Sequence, residues 1–469
     1  MRHMQVVVIG AGYVGLTTAA CIAELGHAVT CADVDISKIA MLDEGNVPIR
    51  EAGLDALVGR NRAAGRLHFT VDVANAAARA DVVLISVGTP RGAGGDADLT
   101  HVKAVAREVA RAIKPKTVVT IKSTVAVGTA RLIREVIAEK RGGLDFWITS
   151  NPEFLREGSA VRDFFEPDRI VIGADDPEPA ARLTELYRPL IDRGVPLVVT
   201  STVNAELIKY TANAFLALKV GFINDVADLC EEAEADINAV IKGVGLDRRI
   251  GPRFLSPGPG FGGSCFPKDT EAFAAAGRKY SCPQPLIETL VMRNQVRKHR
   301  LAKKILGELN GLAHARVAVL GIAFKANTDD VRDSAALTII PLLRAAGVSV
   351  SAFDPWARAN ASRVLKDVAW HEDAYAACSG ADLVVILTEW EMFRTLDLSR
   401  LSQHMRGSTI FDCRNLMDPQ DVASQGFRYV SLGRPAAPRV APTTAAKSAD
   451  NRVPLASLRG AAVARRPVR

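Results

Sequence analysis

The stretch from Gln5 to Asp33 leaves this chain few choices of fold. Gln5-Val6-Val7-Val8-Ile9 is an unbroken apolar run of strand length, and Gly10-Ala11-Gly12-Tyr13-Val14-Gly15 follows it. Helix-forming residues run on to Leu25, then a second apolar run, Ala28–Ala32, ends at Asp33. Strand, glycine turn, helix, strand and acid, in that order, predict a parallel βαβ unit. The glycines permit a tight turn and let a pyrophosphate approach the helix N-terminus, where free N–H groups and the helix dipole favour an anion. Asp33 stands 18 residues after Gly15, near the ~20 at which an acid meets a ribose 2′-hydroxyl. A carboxylate there repels a 2′-phosphate, which favours NAD over NADP. A glycine-rich turn with no ligand is the alternative.

The alternation continues. Residues 81–87 and 117–121 read as strands, ending in Gly88-Thr89-Pro90 and Lys122-Ser123-Thr124, and 146–149 is a further short strand. In a doubly wound sheet such strand ends face the ligand crevice. Ser150-Asn151-Pro152-Glu153-Phe154-Leu155-Arg156-Glu157-Gly158 follows, with two glutamates four apart; a solvated helix face would show the same spacing. Residues 204–241 lack proline and nearly lack glycine, which predicts one long helix or two in tandem between sheet domains. Glu206, Lys209 and Asn213 share a face of it. They are either an exposed charged group or, beside a crevice, a catalytic trio. A second α/β unit opens at Arg316-Val317-Ala318-Val319-Leu320-Gly321 and continues through a helix at 335–346 and a strand at 348–353, with further strands at 383–387 and 409–411. Its turn, Gly321-Ile322-Ala323-Phe324-Lys325, has lost the glycine pattern. A lysine there suits phosphate, so the second sheet is expected to hold a different nucleotide.

At 469 residues the chain is too long for one core. The expected division is an NAD-binding Rossmann domain at 1–200, a central helical connector carrying a cysteine loop at 201–300, a Rossmann-like domain for the second nucleotide at 301–433, and a tail at 434–469. The tail carries eight basic residues against Asp450 alone. It therefore accounts for the whole formal charge of +7, and its Ala/Pro/Arg composition reads as disordered. With the basic charge confined there, a nucleic-acid partner is not expected. No apolar run approaches the roughly 18–20 residues of a membrane span. Seven scattered cysteines without Cys-x-x-Cys spacing argue against disulfides or a zinc site and for a reducing cytoplasm.

The chemistry concentrates in Gly260-Phe261-Gly262-Gly263-Ser264-Cys265-Phe266-Pro267-Lys268-Asp269. A thiol after a flexible turn, with a lysine and an aspartate close behind, suits nucleophilic attack better than a core. An NAD site beside an activated cysteine suggests a definite sequence. Hydride loss from an alcohol gives an aldehyde, the thiol adds to form a thiohemiacetal, a second hydride loss gives a thioester, and water releases an acid. The cysteine turns a two-electron oxidation into a four-electron one.

These stretches resemble the nucleotide-sugar 6-dehydrogenases (the UDP-glucose/GDP-mannose dehydrogenase family), from about Met4 to Ser431. Gly10–Gly15, Lys122–Val125, Asn151–Gly158, Glu206–Phe215, Gly260–Asp269, Phe324-Lys325 and Arg332 carry the resemblance. It implies two Rossmann-like doubly wound sheet domains joined by a long central helix, with UDP-sugar binding in 301–433 and dimerisation through 201–300. It implies Cys265 as nucleophile, Lys209 and Asn213 on the oxyanion, Asp269 orienting water with Lys209, Thr124 on that water, and Glu153 as acid–base. Gly10, Gly12, Tyr13, Val14, Gly15, Asp33, Lys38, Thr89, Thr124, Glu157 and Arg332 match cofactor positions. Phe154, Leu155, Phe254, Leu255, Ser256, Gly258, Gly260, Phe261 and Gly262 match the uridine and sugar pocket, joined by Glu153, Glu157, Lys209, Asn213 and Cys265. Lys325 and Arg414 match phosphate and ribose contacts, and Phe324 stands among the substrate-binding positions. Arg249 matches an arginine that enters a neighbouring subunit's site, which implies a homodimer or higher homo-oligomer. Ser256 departs from the pattern, since some relatives carry lysine there. Phe266-Pro267-Lys268-Asp269 after Ser264-Cys265 resembles the UDP-glucose branch, so the small-molecule partner expected is UDP-glucose, oxidised to UDP-glucuronate with two NAD and water. A sister enzyme acting on GDP-mannose or a UDP-N-acetylhexosamine is the near alternative. A two-electron dehydrogenase or a non-catalytic nucleotide binder is the distant one.

Overall fold

A computed structural model describes residues 3–143 and 145–435. The tail called disordered lies, from residue 436 on, outside the described residues. The first sheet has eight strands: β1 (Gln5–Ile9), β2 (Ala28–Ala32), β3 (Leu67–Thr70), β4 (Val82–Ile85), β5 (Val118–Ile121), β6 (Trp147–Ser150), β7 (Ile170–Ala174) and β8 (Leu197–Thr200). Their order is β3-β2-β1-β4-β5-β6-β7-β8. All neighbours are parallel except β6 and β7. The strands read as continuous apolar runs because both faces are covered. In β1, Val6 and Val8 enter one core while Val7 and Ile9 enter the other, as the two-residue period of a strand requires.

The second sheet repeats the plan with β9 (Arg316–Leu320), β10 (Ser349–Phe353), β11 (Ala369–Trp370), β12 (Leu383–Ile386), β13 (Thr409–Asp412) and β14 (Arg428–Ser431), ordered β11-β10-β9-β12-β13-β14 and parallel throughout. That order matches β3-β2-β1-β4-β5-β6 strand for strand. The first turns match as well. Gly10 donates to the Ala32 carbonyl at 2.7 Å, and Gly321 donates to the Phe353 carbonyl at 2.8 Å.

Between the sheets runs a 31-residue helix, Thr202–Glu232, capped by Ser201; at 1.5 Å per residue it is roughly 46 Å long. It breaks before a second helix, Ile237–Gly245, so the tandem reading of 204–241 is the one observed. The helix Phe266–Lys279 begins at Cys265 and packs on the long helix, and Pro285–Glu308 returns alongside both. Among the described residues no helix is long and apolar enough to cross a membrane.

Candidate active site

The fingerprint turn has the form a dinucleotide requires. Gly10 adopts φ +104°, and a Cβ on Gly15 would sit 1.7 Å from the Gly10 carbonyl oxygen, so neither position admits a side chain. Gly12 is exposed, and a Cβ built on it meets nothing within 4 Å. The helix Tyr13–Glu24 that starts there, with Val14 in its first turn, has no side-chain cap and no acid in that turn, which leaves its N–H groups to an anion. Asp33 accepts from the Ala11 N–H at 2.7 Å and pairs with Lys38 at 3.2 Å. At the ends of β4 and β5, the Thr89 hydroxyl donates to the Thr124 carbonyl at 2.7 Å.

Tyr13 leads from this turn to the loop after β6, where its hydroxyl accepts from the Gly158 N–H at 2.6 Å. The two glutamates of that loop are not on a helix and not solvated. Glu153 is 6% exposed and forms an ion pair with Lys209 at 3.2 Å; the same ammonium donates to the Glu153 carbonyl oxygen at 2.7 Å. The other Glu153 oxygen accepts from the Leu155 N–H. Glu157 accepts from the hydroxyls of Ser264 and Thr328, each at 2.9 Å, with Arg332 at 3.6 Å. Burial, then Asp330, hold its carboxyl above the usual range.

A cavity of about 1170 Å³ opens between this loop, the long helix and the cysteine loop. Glu153, Phe154, Leu155, Glu157, Lys209, Asn213, Phe254, Ser256, Gly262, Cys265, Phe324 and Lys325 all line it. Asn213 donates to Asp269 at 2.6 Å, and Lys268 pairs with the other Asp269 oxygen. Asp269 is completely buried, so the two donors compensate its charge. Cys265 is partly exposed, and Ser264 Oγ lies 3.5 Å from its Sγ. The thiol is not a preformed thiolate. Burial pushes it up to about 11, Glu153 and Asp269 add to this, and Lys209 and Lys268 oppose it. Its place at a helix N-terminus favours the anion, yet burial and two carboxylates outweigh that.

Not every expected residue reaches the cavity. Leu255 packs in a small core with Ile223 and Ile237, and Phe261 packs with Ala217 and Leu290. The Phe261 N–H and carbonyl are both engaged by the Asn294 amide at 2.9 Å, and Gly260 admits no Cβ beside the same amide. The Gly258 N–H donates to Asn224 at 2.9 Å. Arg414 is held between the Leu387 and Phe324 carbonyls and pairs with Glu389 at 3.1 Å, beside Gly258. Arg249 is 89% exposed, pairs with Asp247 and lies outside its own chain's cavity. Glu206 is a correction. It shares a helix face with Lys209, but one turn earlier it meets the N-terminus of the helix Thr129–Lys140 and accepts from the Gly128 and Ala130 N–H groups at 2.7 and 2.8 Å. It is an interhelical cap, not a member of the cavity.

Three family models cover nearly all of the described chain. They are the NAD binding domain (residues 4–191), the central domain (203–296) and the UDP binding domain (318–419) of the UDP-glucose/GDP-mannose dehydrogenase family. This chain belongs to that family. It is 48% identical over 436 residues to a UDP-glucose 6-dehydrogenase of Rhizobium meliloti (strain 1021), a match covering 92% of this chain and 100% of the relative. To UDP-glucose 6-dehydrogenase TuaD of Bacillus subtilis (strain 168) it is 43% identical over 434 residues, covering 92% and 94%. The solved structure of a UDP-glucose dehydrogenase from the hyperthermophilic archaeon Pyrobaculum islandicum superposes with a TM-score of 0.84 at 40% identity, covering 88% of this chain and 95% of that one. The chain is thus an NAD-dependent dehydrogenase of the UDP-glucose/GDP-mannose dehydrogenase family, and the turn at Gly10–Gly15 with Asp33 fits that cofactor. Some cavity residues escaped the sequence reading. Arg169 stacks on Phe154, 3.4 Å from the ring centroid, and Lys122 lies buried at the cavity wall. Arg169 has no motif around it. Lys122 closes a predicted strand and opens the Lys122–Val125 stretch of the resemblance, but neither reading gives it a role.

Proposed function

We propose that this dehydrogenase oxidises the C6 alcohol of UDP-glucose to UDP-glucuronate with two NAD⁺ and one water. The observation that carries the reading is the convergence of Cys265, the Lys209–Glu153 pair and Asn213, itself bonded to the buried Asp269, on one cavity between two nucleotide-type sheets. Bound NAD⁺ supplies the hydride acceptor for each oxidation, held by Gly10, Gly12, Gly15 and Asp33. The Cys265 sulfur forms a bond to the aldehyde carbon, and its proton leaves to the carbonyl oxygen or to a neighbouring base. Lys209 and Asn213 donate to that oxygen as it gains charge. Loss of the second hydride leaves a thioester. Water, deprotonated by Glu153, attacks it, the C–S bond breaks, and the sulfur recovers a proton. The high thiol pKa suits this order, because a protonated sulfur does not add before an electrophile is in place.

Lys325, Phe324 and Arg414 are proposed to hold the UDP, with Phe154, Phe254 and Ser256 around the sugar and base. Thr89, Thr124, Lys38, Glu157 and Arg332 are proposed on the cofactor side. Arg249, free of its own cavity, is proposed to complete a partner's site in a homodimer of a cytoplasmic enzyme. One assay tests the reading: NADH yield per sugar with UDP-glucose, UDP-galactose, UDP-N-acetylhexosamines and GDP-mannose. Two NADH per UDP-glucose with an acid product is expected. One NADH per sugar, or an unimpaired Cys265→Ala variant, overturns it.

A further inference from the structure

Lys122 leaves β5 directly into the protein interior. It is 4% exposed and has no ion pair among the described residues closer than 4 Å. Its ammonium donates only to neutral acceptors: the Asn151 side-chain oxygen at 3.1 Å, the Asn151 carbonyl at 3.4 Å and the Tyr187 hydroxyl at 3.5 Å. An ammonium buried without a carboxylate in contact is costly, and burial draws its pKa down to about 8. A methionine would fill the same space without that cost.

The surrounding network is fully oriented. Tyr187 donates to Asn151 Oδ1 at 2.6 Å, and Asn151 Nδ2 donates to the Val171 carbonyl at 2.8 Å, which leaves Oδ1 to face the ammonium. Asn151 is the first residue after β6, and Glu153 follows it in the same loop with one proline between them. Lys122, Asn151, Glu153 and Lys209 all line the same cavity. The carboxylate with which Lys122 interacts electrostatically is that of Glu153.

Glu153 is therefore paired with Lys209 from the long helix and interacts electrostatically with Lys122 at the end of β5 and with the Cys265 thiol of the cysteine loop. Lys122 in turn is faced by Glu153, Lys209, Tyr187 and Cys21. In the reaction proposed above Lys209 has two anions to serve, Glu153 and the oxyanion on the substrate. When it turns to the oxyanion, the charge that stays with Glu153 is Lys122.

We propose that Lys122 is a positioning residue for the hydrolytic half of the reaction: through Asn151 it fixes the segment bearing Glu153, and its charge offsets that carboxylate while Lys209 is engaged by the substrate. The proposal rests on the function given above. Its test is the pH profile of kcat with UDP-glucose for wild type, Lys122→Met, Asn151→Asp and Tyr187→Phe, with mass spectrometry of the sugar adduct on Cys265. Lys122→Met removes the charge, and Asn151→Asp neutralises it in place. Both are expected to move the acid limb about one unit to higher pH, with covalent adduct accumulating on the low-pH side of the limb. Tyr187→Phe removes a bond of the same network without altering charge and is expected to leave the limb in place. If Lys122→Met does not fold, Asn151→Asp carries the decision. Charge variants whose profiles run parallel to wild type overturn the proposal, as does an equal shift in Tyr187→Phe. A wild-type enzyme that fails to yield two NADH per UDP-glucose instead overturns the function on which it rests.

Discussion

At the scale of single residues, the sulfur of Cys265 shows how competing effects resolve. A helix N-terminus and two lysines favour thiolate, while burial and two carboxylates oppose it, and the thiol stands at about 11. Alkylation by iodoacetamide, measured in a Cys282→Ser background because Cys282 is exposed, should therefore be slow at pH 7.5. It should rise about tenfold per pH unit up to pH 10, since only the thiolate reacts. A plateau below pH 8 would contradict this reading. Replacing the sulfur with oxygen should separate the two halves of the reaction. In Cys265→Ser an ester takes the place of a thioester, so a burst of NADH followed by a turnover slowed at least a hundredfold (roughly 3 kcal/mol in barrier) is expected in stopped flow, with a sugar adduct on the protein.

At the scale of elements, Glu206 joins two helices. Its carboxyl is pushed up from 4.5 to about 7, first by burial, although the Ala130, Gly128 and Thr129 N–H groups pull the other way. The folded state then binds more protons than the unfolded state between those values. Stability accordingly falls as pH rises from 4.5 to 7. Glu206→Gln should flatten that slope in urea melts. It should also lower stability by roughly 1–2 kcal/mol at pH 5, because an amide NH₂ then faces a backbone N–H. A slope identical to wild type would show that other groups carry the pH dependence. The sequence placed Glu206 on the right helix face. Which neighbour stood opposite each turn of that face depended on the helix Thr129–Lys140, whose start is more than seventy residues away in the chain.

At the scale of the molecule, two sheets of the same strand order hold equivalent acids in unlike states. Asp33 is left at the mouth of the first turn beside Lys38, while Asp354 is sealed in the second. Asp354 accepts from the Ile322, Ala323, Trp356 and Ala357 N–H groups and the Trp390 indole. Asp33→Asn should raise KM for NAD about tenfold or more and leave Tm nearly unchanged. Asp354→Asn should lower stability by roughly 3 kcal/mol, since a buried amide cannot accept all five, with KM for NAD unmoved. The reverse pattern would overturn the assignment. By itself the sequence determined the βαβ openings and the NAD preference, which rest on local order and spacing that backbone sterics turn into geometry; the family, and with it the choice of Cys265, Lys209, Asn213 and Glu153, came from the resemblance of whole motifs. Tertiary structure alone decided which groups meet: Glu153 with Lys209, Asn213 with Asp269, Glu206 with a distant helix end. Those pairings join residues up to 78 apart in the chain, and the free energy of an ion depends on the burial and partners that only the packed sheets and helices supply.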